Sequence, residues 1–321
     1  MKQVEHLLGY RASIKVMDAT LRDGGLVNDF YFTDDFVKAL YKTNLEAGVD
    51  YMEMGYRASK KVFDETKFGK WKFCSDDHIR EIVGENDTDL KLAIMADIGR
   101  HDKNDFDEKV NSPVDMVRVA AYIHQMPEAI DMIEDAHKKG YETTCNIMAI
   151  SQTRESDLKV ALDMLGKTPV DTIYIVDSFG SIYPEEMKRI VDIYMEAATK
   201  YGKQLGVHAH NNQQLAFANT IEAWGDGVNW LDATYKGMGR GAGNCAMELL
   251  LGFLKNPKYN TYPVFRFISD YMVKLEEDGV VWGYDLQYLM TGQLNQHPRT
   301  AIKFTKDKRK DYAEFYKELI V

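Results

Sequence analysis

His208-Ala209-His210-Asn211-Asn212 closes the apolar run Gln204-Leu205-Gly206-Val207. Residues two apart in a strand point to the same side, so both imidazoles can face one metal ion. Taken alone, the pair fits equally well with two hydrogen-bonded histidines at a strand terminus. A carboxylate would tip the balance. Two neutral imidazoles and one carboxylate make a three-ligand site with positions open for substrate and water, as a catalytic divalent ion requires. Asp18 and Asp23, in the run Asp18-Ala19-Thr20-Leu21-Arg22-Asp23-Gly24-Gly25, are equally plausible partners by spacing. Mixed nitrogen and oxygen donors suit Mn²⁺, Mg²⁺ or Zn²⁺, and two histidines tilt the choice to Mn²⁺.

Such ligands need a scaffold. Short β-rich runs recur at 14–19, 50–56, 90–96, 116–121, 143–148, 172–176, 205–210 and 229–234. Segments of helical period lie between them at 34–47, 127–139, 155–165, 184–201 and 213–224. Thr33 before Asp34-Asp35, Pro184 before Glu185-Glu186, and Gly48, Gly140 and Gly202 supply helix starts and stops. Eight strands alternating with helices predict an α/β fold, a (β/α)8 TIM barrel. A doubly wound open sheet is disfavoured, because no Gly-x-Gly-x-x-Gly follows the first run. The expected organisation is a barrel over 1–254 and a C-terminal helical extension over 255–321 packed on it.

In such a barrel the strand ends and the loops after them line one mouth. They carry Asp18, Thr20, Arg22, Asp23, Glu53, Tyr56, Asp97, Arg118, Asn146, Asp177, Ser178, His208, His210 and Thr234, then the glycine-rich run Gly237-Met238-Gly239-Arg240-Gly241-Ala242-Gly243-Asn244. A buried sheet favours Val, Ile and Leu, so polar groups at strand after strand predict a polar cavity.

Composition limits the partners. A chain of 321 residues with 45% apolar content can bury a large core, and a net charge of −10 argues against a general affinity for nucleic acid or anionic membranes. No 18-residue apolar stretch occurs, and the start Met1-Lys2-Gln3-Val4-Glu5-His6 lacks a signal-peptide core, so a cytoplasmic protein is expected. Cys74, Cys145 and Cys245 are too scattered for a disulfide framework or a thiolate cage and read as reduced thiols. Between the second and third runs Arg57, Lys60, Lys61, Lys67, Lys70 and Lys72 lie among Phe63, Phe68, Trp71 and Phe73. This segment could cover an anionic substrate, or be a solvated loop whose aromatics dock on the barrel.

The three motifs at 18–25, 208–212 and 237–244, with Arg118-Val119-Ala120 and Asp177-Ser178-Phe179-Gly180, resemble the metal-dependent aldolase and lyase barrels of the hydroxymethylglutaryl-CoA lyase superfamily. Within it the likeness is closest to the 4-hydroxy-2-oxovalerate aldolases, and it spans roughly residues 14–254. The resemblance implies a divalent metal held by Asp23, His208 and His210, with Asn244 at or beside the coordination sphere, and an essential Arg22. Biotin-dependent carboxyltransferase barrels, whose site includes a modified lysine, resemble the chain less, since Arg118 is the basic residue of the fourth strand. In the hydroxy-oxovalerate aldolases a histidine three residues after the metal aspartate looks like the general base; here that position is Leu26, which cannot transfer a proton. Candidate replacements are His124, Tyr56, Tyr122, and Tyr284 or Tyr288 of the tail, with His124 and Tyr288 the expected catalytic groups beside Arg22.

The chemistry follows from the residue types. A 2-oxo acid chelated by the ion loses electron density at its carbonyl, and cleavage of the adjacent carbon–carbon bond leaves an enolate that Arg22 can stabilise. The expected function is a metal-dependent aldolase or lyase acting on a 2-oxo acid and an aldehyde. The alternatives are a synthase condensing an acyl-CoA with a 2-oxo acid, and a catalytically idle barrel acting as a binding subunit. A homo-oligomer or a partner dehydrogenase is compatible with either role.

Overall fold

Eight short, doubly buried runs form parallel strands that close in chain order into a barrel: β1 (Lys15–Asp18), β2 (Tyr51–Tyr56), β3 (Lys91–Asp97), β4 (Met116–Ala121), β5 (Glu142–Ile147), β6 (Thr172–Asp177), β7 (Gln204–Ala209) and β8 (Trp230–Ala233). Pairing of β1 with β8, from Lys15↔Trp230 to Asp18↔Ala233, closes it. This computed structural model describes residues 10–102 and 105–321, and the Met1–His6 start lies outside the described residues. The helices are α1 (Thr20–Gly24), α2 (Asp34–Ala47), α3 (Asp76–Val83), α4 (Met126–Lys138), α5 (Glu155–Gly166), α6 (Pro184–Tyr201), α7 (Ala216–Gly225) and α8 (Met247–Leu254), then α9 (Thr261–Phe267), α10 (Val273–Glu277), α11 (Leu286–Gln293), α12 (Arg299–Lys306) and α13 (Tyr312–Ile320). Two helix boundaries coincide with the sequence reading for local reasons. Thr33 accepts the Phe36 N–H at 3.2 Å to start α2, and Gly48, at φ 74°, ends it. Among the described residues no α-helix joins β3 to β4, and no helix is long and apolar enough to cross a membrane.

The core has two parts. Apolar residues facing outward from the strands pack under the helices, while Met17, Tyr51, Ala93, Met116, Tyr174, Val176 and Trp230 form a separate cluster of strand residues. That second cluster matters for function. The residues two places beyond Tyr51, Met116 and Trp230 are Glu53, Arg118 and Asp232, so the strand period puts three charges on the same face one layer further along. The tail is divided similarly: Val264, Phe267 and Met272 join the main core, whereas Ala301, Phe304 and Phe315 form their own cluster.

The aromatic, basic segment after β2 docks on the barrel. Trp71 and Phe73 are buried, and Gly55, at φ +151°, is required because a Cβ there would lie 2.2 Å from the Trp71 carbonyl oxygen. Its charges are met locally, Lys70 by Asp34 and Glu81 and Lys67 by Asp64. Lys72 is the exception. Only 6% exposed, its ammonium lies 4.3–5.8 Å from the ring centres of Phe63, Tyr56, Phe30 and Phe68.

Burial pushes Lys72 down to about 8, against the pull of Asp97. Folding buries the charged ammonium, a cost that is full below about pH 8, where the lysine is protonated in both states, and gone above the unfolded value near 10.4. The aromatic rings favour the ammonium and offset part of that cost. In urea titrations, the stability of the protein relative to Lys72→Met should therefore rise between pH 8 and 10.5 by at most roughly 3 kcal/mol. A pH-independent difference between the two would exclude this account of Lys72.

Candidate active site

β1 ends at Asp18, and the chain turns at once into the single turn of α1, which carries Arg22 and Asp23 back over the barrel mouth. The two aspartates part company there. Asp18 accepts the Thr20 N–H at 2.9 Å and the Asn44 amide at 2.7 Å, so it faces α2, and burial pushes it up to about 6. Asp23 meets the histidines: its Oδ2 lies 2.9 Å from His208 Nε2 and 3.6 Å from His210 Nε2. These three buried residues form the cluster able to hold a metal ion, with one donor atom from each within 4.8 Å of the others.

A closed ring of contacts supports the cluster. Asp23 Oδ2 accepts from Arg22 Nη1 at 3.0 Å, and Arg22 Nε donates to Glu53 Oε2 at 2.7 Å. Arg118 Nη1 lies 3.0 Å from that same Glu53 oxygen, and its Nη2 donates to Asp232 Oδ2 at 2.7 Å. Asp232 Oδ2 is 2.9 Å from His208 Nδ1, and His208 Nε2 returns to Asp23. All six side chains are buried. Three carboxylates face two guanidiniums in it, so with His208 neutral the ring keeps one unbalanced negative charge, which suits a cation.

The protonation states follow from the same contacts. Burial would raise Asp23, but Arg22, His210 and His208 overcome it and hold the carboxyl well below its usual range. Burial works against a charged His208 as well, and its bonds to Asp23 and Asp232 overcome that and raise it. His210 is held neutral, by burial first and then by Arg240, despite Asp23. His210 Nδ1 and Asn244 Oδ1 are buried without hydrogen-bond partners, as unused donors of a metal site would be. Asn244 pairs with His210 through the backbone, and its presentation depends on the glycine-rich loop. A Cβ at Gly239 would lie 2.1 Å from Asn244 Nδ2, and at Gly243, φ +87°, 2.0 Å from the Gly237 carbonyl oxygen.

The cluster opens onto a cavity of about 60 Å³, room for a small molecule, whose walls include Arg22, Leu26, Tyr56, Tyr122, Arg240 and His297. The sequence expectations divide on its wall. Arg22, Asp23, His208 and His210 line it, as do Asn146 and Ser178. His124 and Tyr288 do not. His124 is exposed and stacks on Tyr122, because the chain enters a 3₁₀ turn directly after β4 and carries the imidazole outward. Tyr288 packs beside Phe304, and its hydroxyl accepts from Thr305 at 3.4 Å. Tyr284 is 47% exposed. Asp177 turns away to accept the Ser181 and Ile182 N–H groups, and burial pushes it up to about 7.

Asp232 and His297 escaped the sequence reading. Asp232 had a usable signal, a carboxylate inside an apolar run two residues after Trp230. His297 had none, since it reaches the cavity only through the packing of the tail.

A family model described as HMGL-like matches residues 13–266. An oxaloacetate decarboxylase of Mycobacterium tuberculosis is 28% identical over 242 residues, 75% of this chain and 69% of that protein. A 4-hydroxy-2-oxovalerate aldolase of Thermus thermophilus is 29% identical over 247 residues, 76% of this chain and 70% of that protein. Among solved structures, the N-terminal domain of a candidate aldolase from Bacteroides vulgatus superposes with a TM-score of 0.76 at 30% identity, covering 91% of this chain and 97% of that one.

Two outcomes test the site. Asp232→Asn should weaken Mn²⁺ binding about 10- to 100-fold by titration calorimetry, since the carboxylate orients His208. Because His208 must release its proton to accept a metal and its pKa is raised, affinity should fall as pH falls through that raised value, with proton release visible as a buffer-dependent heat. Binding that ignores both the substitution and the pH would remove His208 from the ligand set.

Proposed function

The chain belongs to the HMGL-like family and is an enzyme of the lyase and aldolase kind, and from that premise we propose that it breaks or makes a carbon–carbon bond next to a 2-oxo acid through an enolate of pyruvate type. The observation that carries this reading is the convergence of Arg22 with the Asp23, His208 and His210 cluster on one small cavity. In this reading Asp23, His208 and His210 hold a divalent ion, Mn²⁺ by donor type, with Asn244 beside them. The ion supplies Lewis-acid polarisation of the substrate's 2-oxo group. Arg22 uses Nε and Nη1 on Glu53 and Asp23, which leaves its Nη2 donors for oxygen that becomes negative as the bond breaks. Glu53 and Asp23 hold that guanidinium in place, so little reorganisation is needed when charge develops.

The relatives support both halves of this description, since oxaloacetate and 4-hydroxy-2-oxovalerate are both 2-oxo acids. They do not favour a condensing synthase or an idle binding subunit. Leu26 supports a second reading. It lines the cavity where an aldol cleavage would remove a hydroxyl proton, whereas loss of CO2 from a 2-oxo acid needs no such acceptor. The two reactions share the enolate and differ in the leaving group.

With Mn²⁺ bound, the protein should exchange the methyl protons of pyruvate for deuterium and cleave either a 4-hydroxy-2-oxo acid or oxaloacetate. Chelation should abolish both. Arg22→Ala should slow turnover roughly 100-fold or more, the loss of about 3–4 kcal/mol of transition-state stabilisation. A metal-loaded protein that neither exchanges pyruvate protons nor cleaves either acid is not a lyase of this kind.

A further inference from the structure

We infer that Arg240, in the glycine-rich loop after β8, and His297, on the turn between α11 and α12, form a receptor for a second carboxylate on the substrate, so that the 2-oxo acid taken is a dicarboxylic one. This deepens the lyase reading above and rests on it. The other arginines of the site are committed to acids. Arg22 pairs with Asp23 and Glu53, and Arg118 with Glu53 and Asp232. Arg240 differs. Its Nη2 donates to the Ser178 carbonyl at 2.8 Å, its Nε is buried without a partner, and among the described residues no carboxylate pairs with its guanidinium. A guanidinium stays charged at any ordinary pH, so the cavity wall carries an unneutralised cation that an anionic ligand stabilises.

His297 adds a second donor. The Arg299 N–H, shared with the His297 carbonyl at 2.8 Å, donates to His297 Nδ1 at 3.1 Å. Burial, then Arg240, Arg299 and Arg100, hold the ring down at about 3, so it is neutral. A neutral imidazole that accepts at Nδ1 carries its proton at Nε2. That nitrogen lies 3.3 Å from Arg240 Nη1, so two N–H donors stand side by side on the wall, and a carboxylate can accept from each with one oxygen.

Both groups are fixed by the protein itself. The Arg240 N–H donates to Asp23 Oδ1 at 3.1 Å, and its carbonyl accepts from the Gly243 N–H at 3.2 Å. The His297 ring meets Phe179 edge-on at 5.7 Å. Its turn is stitched to the loops after β5 and β6 by Asn295, whose Oδ1 accepts from Ser151 at 2.7 Å and Ser181 at 2.9 Å. The family match ends at residue 266, so half of the receptor comes from outside the matched barrel.

In the lyase reading the metal cluster and Arg22 take the first carboxylate and the 2-oxo oxygen, which leaves Arg240 and His297 for charge at the other end of the molecule. Oxaloacetate carries its second carboxylate on C3, from which it leaves as CO2. A 4-hydroxy-2-oxo dicarboxylic acid carries it beyond the scissile bond, where it stays on the aldehyde product. Both offer the same group to the same two donors.

The test uses the full chain in its Mn²⁺ form with 2-oxoglutarate and 2-oxovalerate, which differ by a carboxylate against a methyl group. Neither has a hydroxyl on C4 or a carboxylate on C3, so neither is cleaved. By calorimetry 2-oxoglutarate should bind about 10- to 100-fold more tightly. Arg240→Met should erase that preference, and His297→Phe, which keeps a ring and removes the donor, should reduce it roughly 3- to 10-fold, with Mn²⁺ affinity unchanged in both. Among cleavable acids, the one whose kcat/KM falls further in Arg240→Met, oxaloacetate or 4-hydroxy-2-oxoglutarate, is the source of the carboxylate. Equal affinity of the wild-type protein for 2-oxoglutarate and 2-oxovalerate overturns the receptor. So does a loss of oxalate binding in Arg240→Met as large as that of 2-oxoglutarate, which would put Arg240 on the first carboxylate. A preference for 2-oxoglutarate in a protein that exchanges no pyruvate protons sinks the lyase reading and leaves the receptor standing; proton exchange without the preference does the reverse.

Discussion

Six side chains from five separate parts of the barrel, Asp23, Arg22, Glu53, Arg118, Asp232 and His208, close on one another out of contact with water. Burying any one of these charges alone would cost several kcal/mol, so none can be placed without the next. The ring therefore couples the mouth of the barrel to its middle. Removing a single partner leaves an uncompensated charge in low dielectric, worth about 3–5 kcal/mol, and also frees a metal-facing side chain to move. Its one surplus negative charge joins this structural constraint to the chemistry, because a divalent cation balances it.

Around that ring the molecule divides its labour. The buried strand-residue cluster beneath is built of Met17, Tyr51, Met116, Tyr174 and Trp230, while the cavity above sets the charged and polar groups of the site against apolar walls from Leu26, Met95, Met148, Val176 and Phe179. Tyr56, at the end of β2, lines one side, and the Lys72 ammonium of the docked aromatic segment lies 4.4 Å from its ring. His297 of the helical tail lines another side, and Arg240 links the tail to the cluster: its backbone N–H donates to Asp23 Oδ1 at 3.1 Å, its Nη2 donates to the Ser178 carbonyl, and its Nη1 lies 3.3 Å from His297 Nε2. A cavity of about 60 Å³ enclosed in this way suits a small acid better than an extended acyl chain.

Much of this was legible in the chain. The eight runs of β-rich sequence correspond one for one to the eight strands, and α2 and α6 span the segments that their caps and periodicity predict. The choice between Asp18 and Asp23 was not legible from spacing, because it depends on the turn of α1 and on the Asn44 amide that claims Asp18. The candidate bases fared differently for a related reason: the direction in which His124 leaves β4 and the packing of Tyr288 against Phe304 are settled by neighbours distant in sequence.

By itself, then, the sequence determined what is local: where strands and helices begin and end, that His208 and His210 share a face, and that no proton acceptor stands at residue 26. Period and capping act over a few residues, so they can be read without a fold. Only the tertiary structure decided which charges meet. Arg118 meets Asp232 across 114 residues of chain, and His297 meets Arg240 across 57 through the docking of the tail, since a side chain's contacts there depend on the barrel's closure and not on its neighbours in sequence.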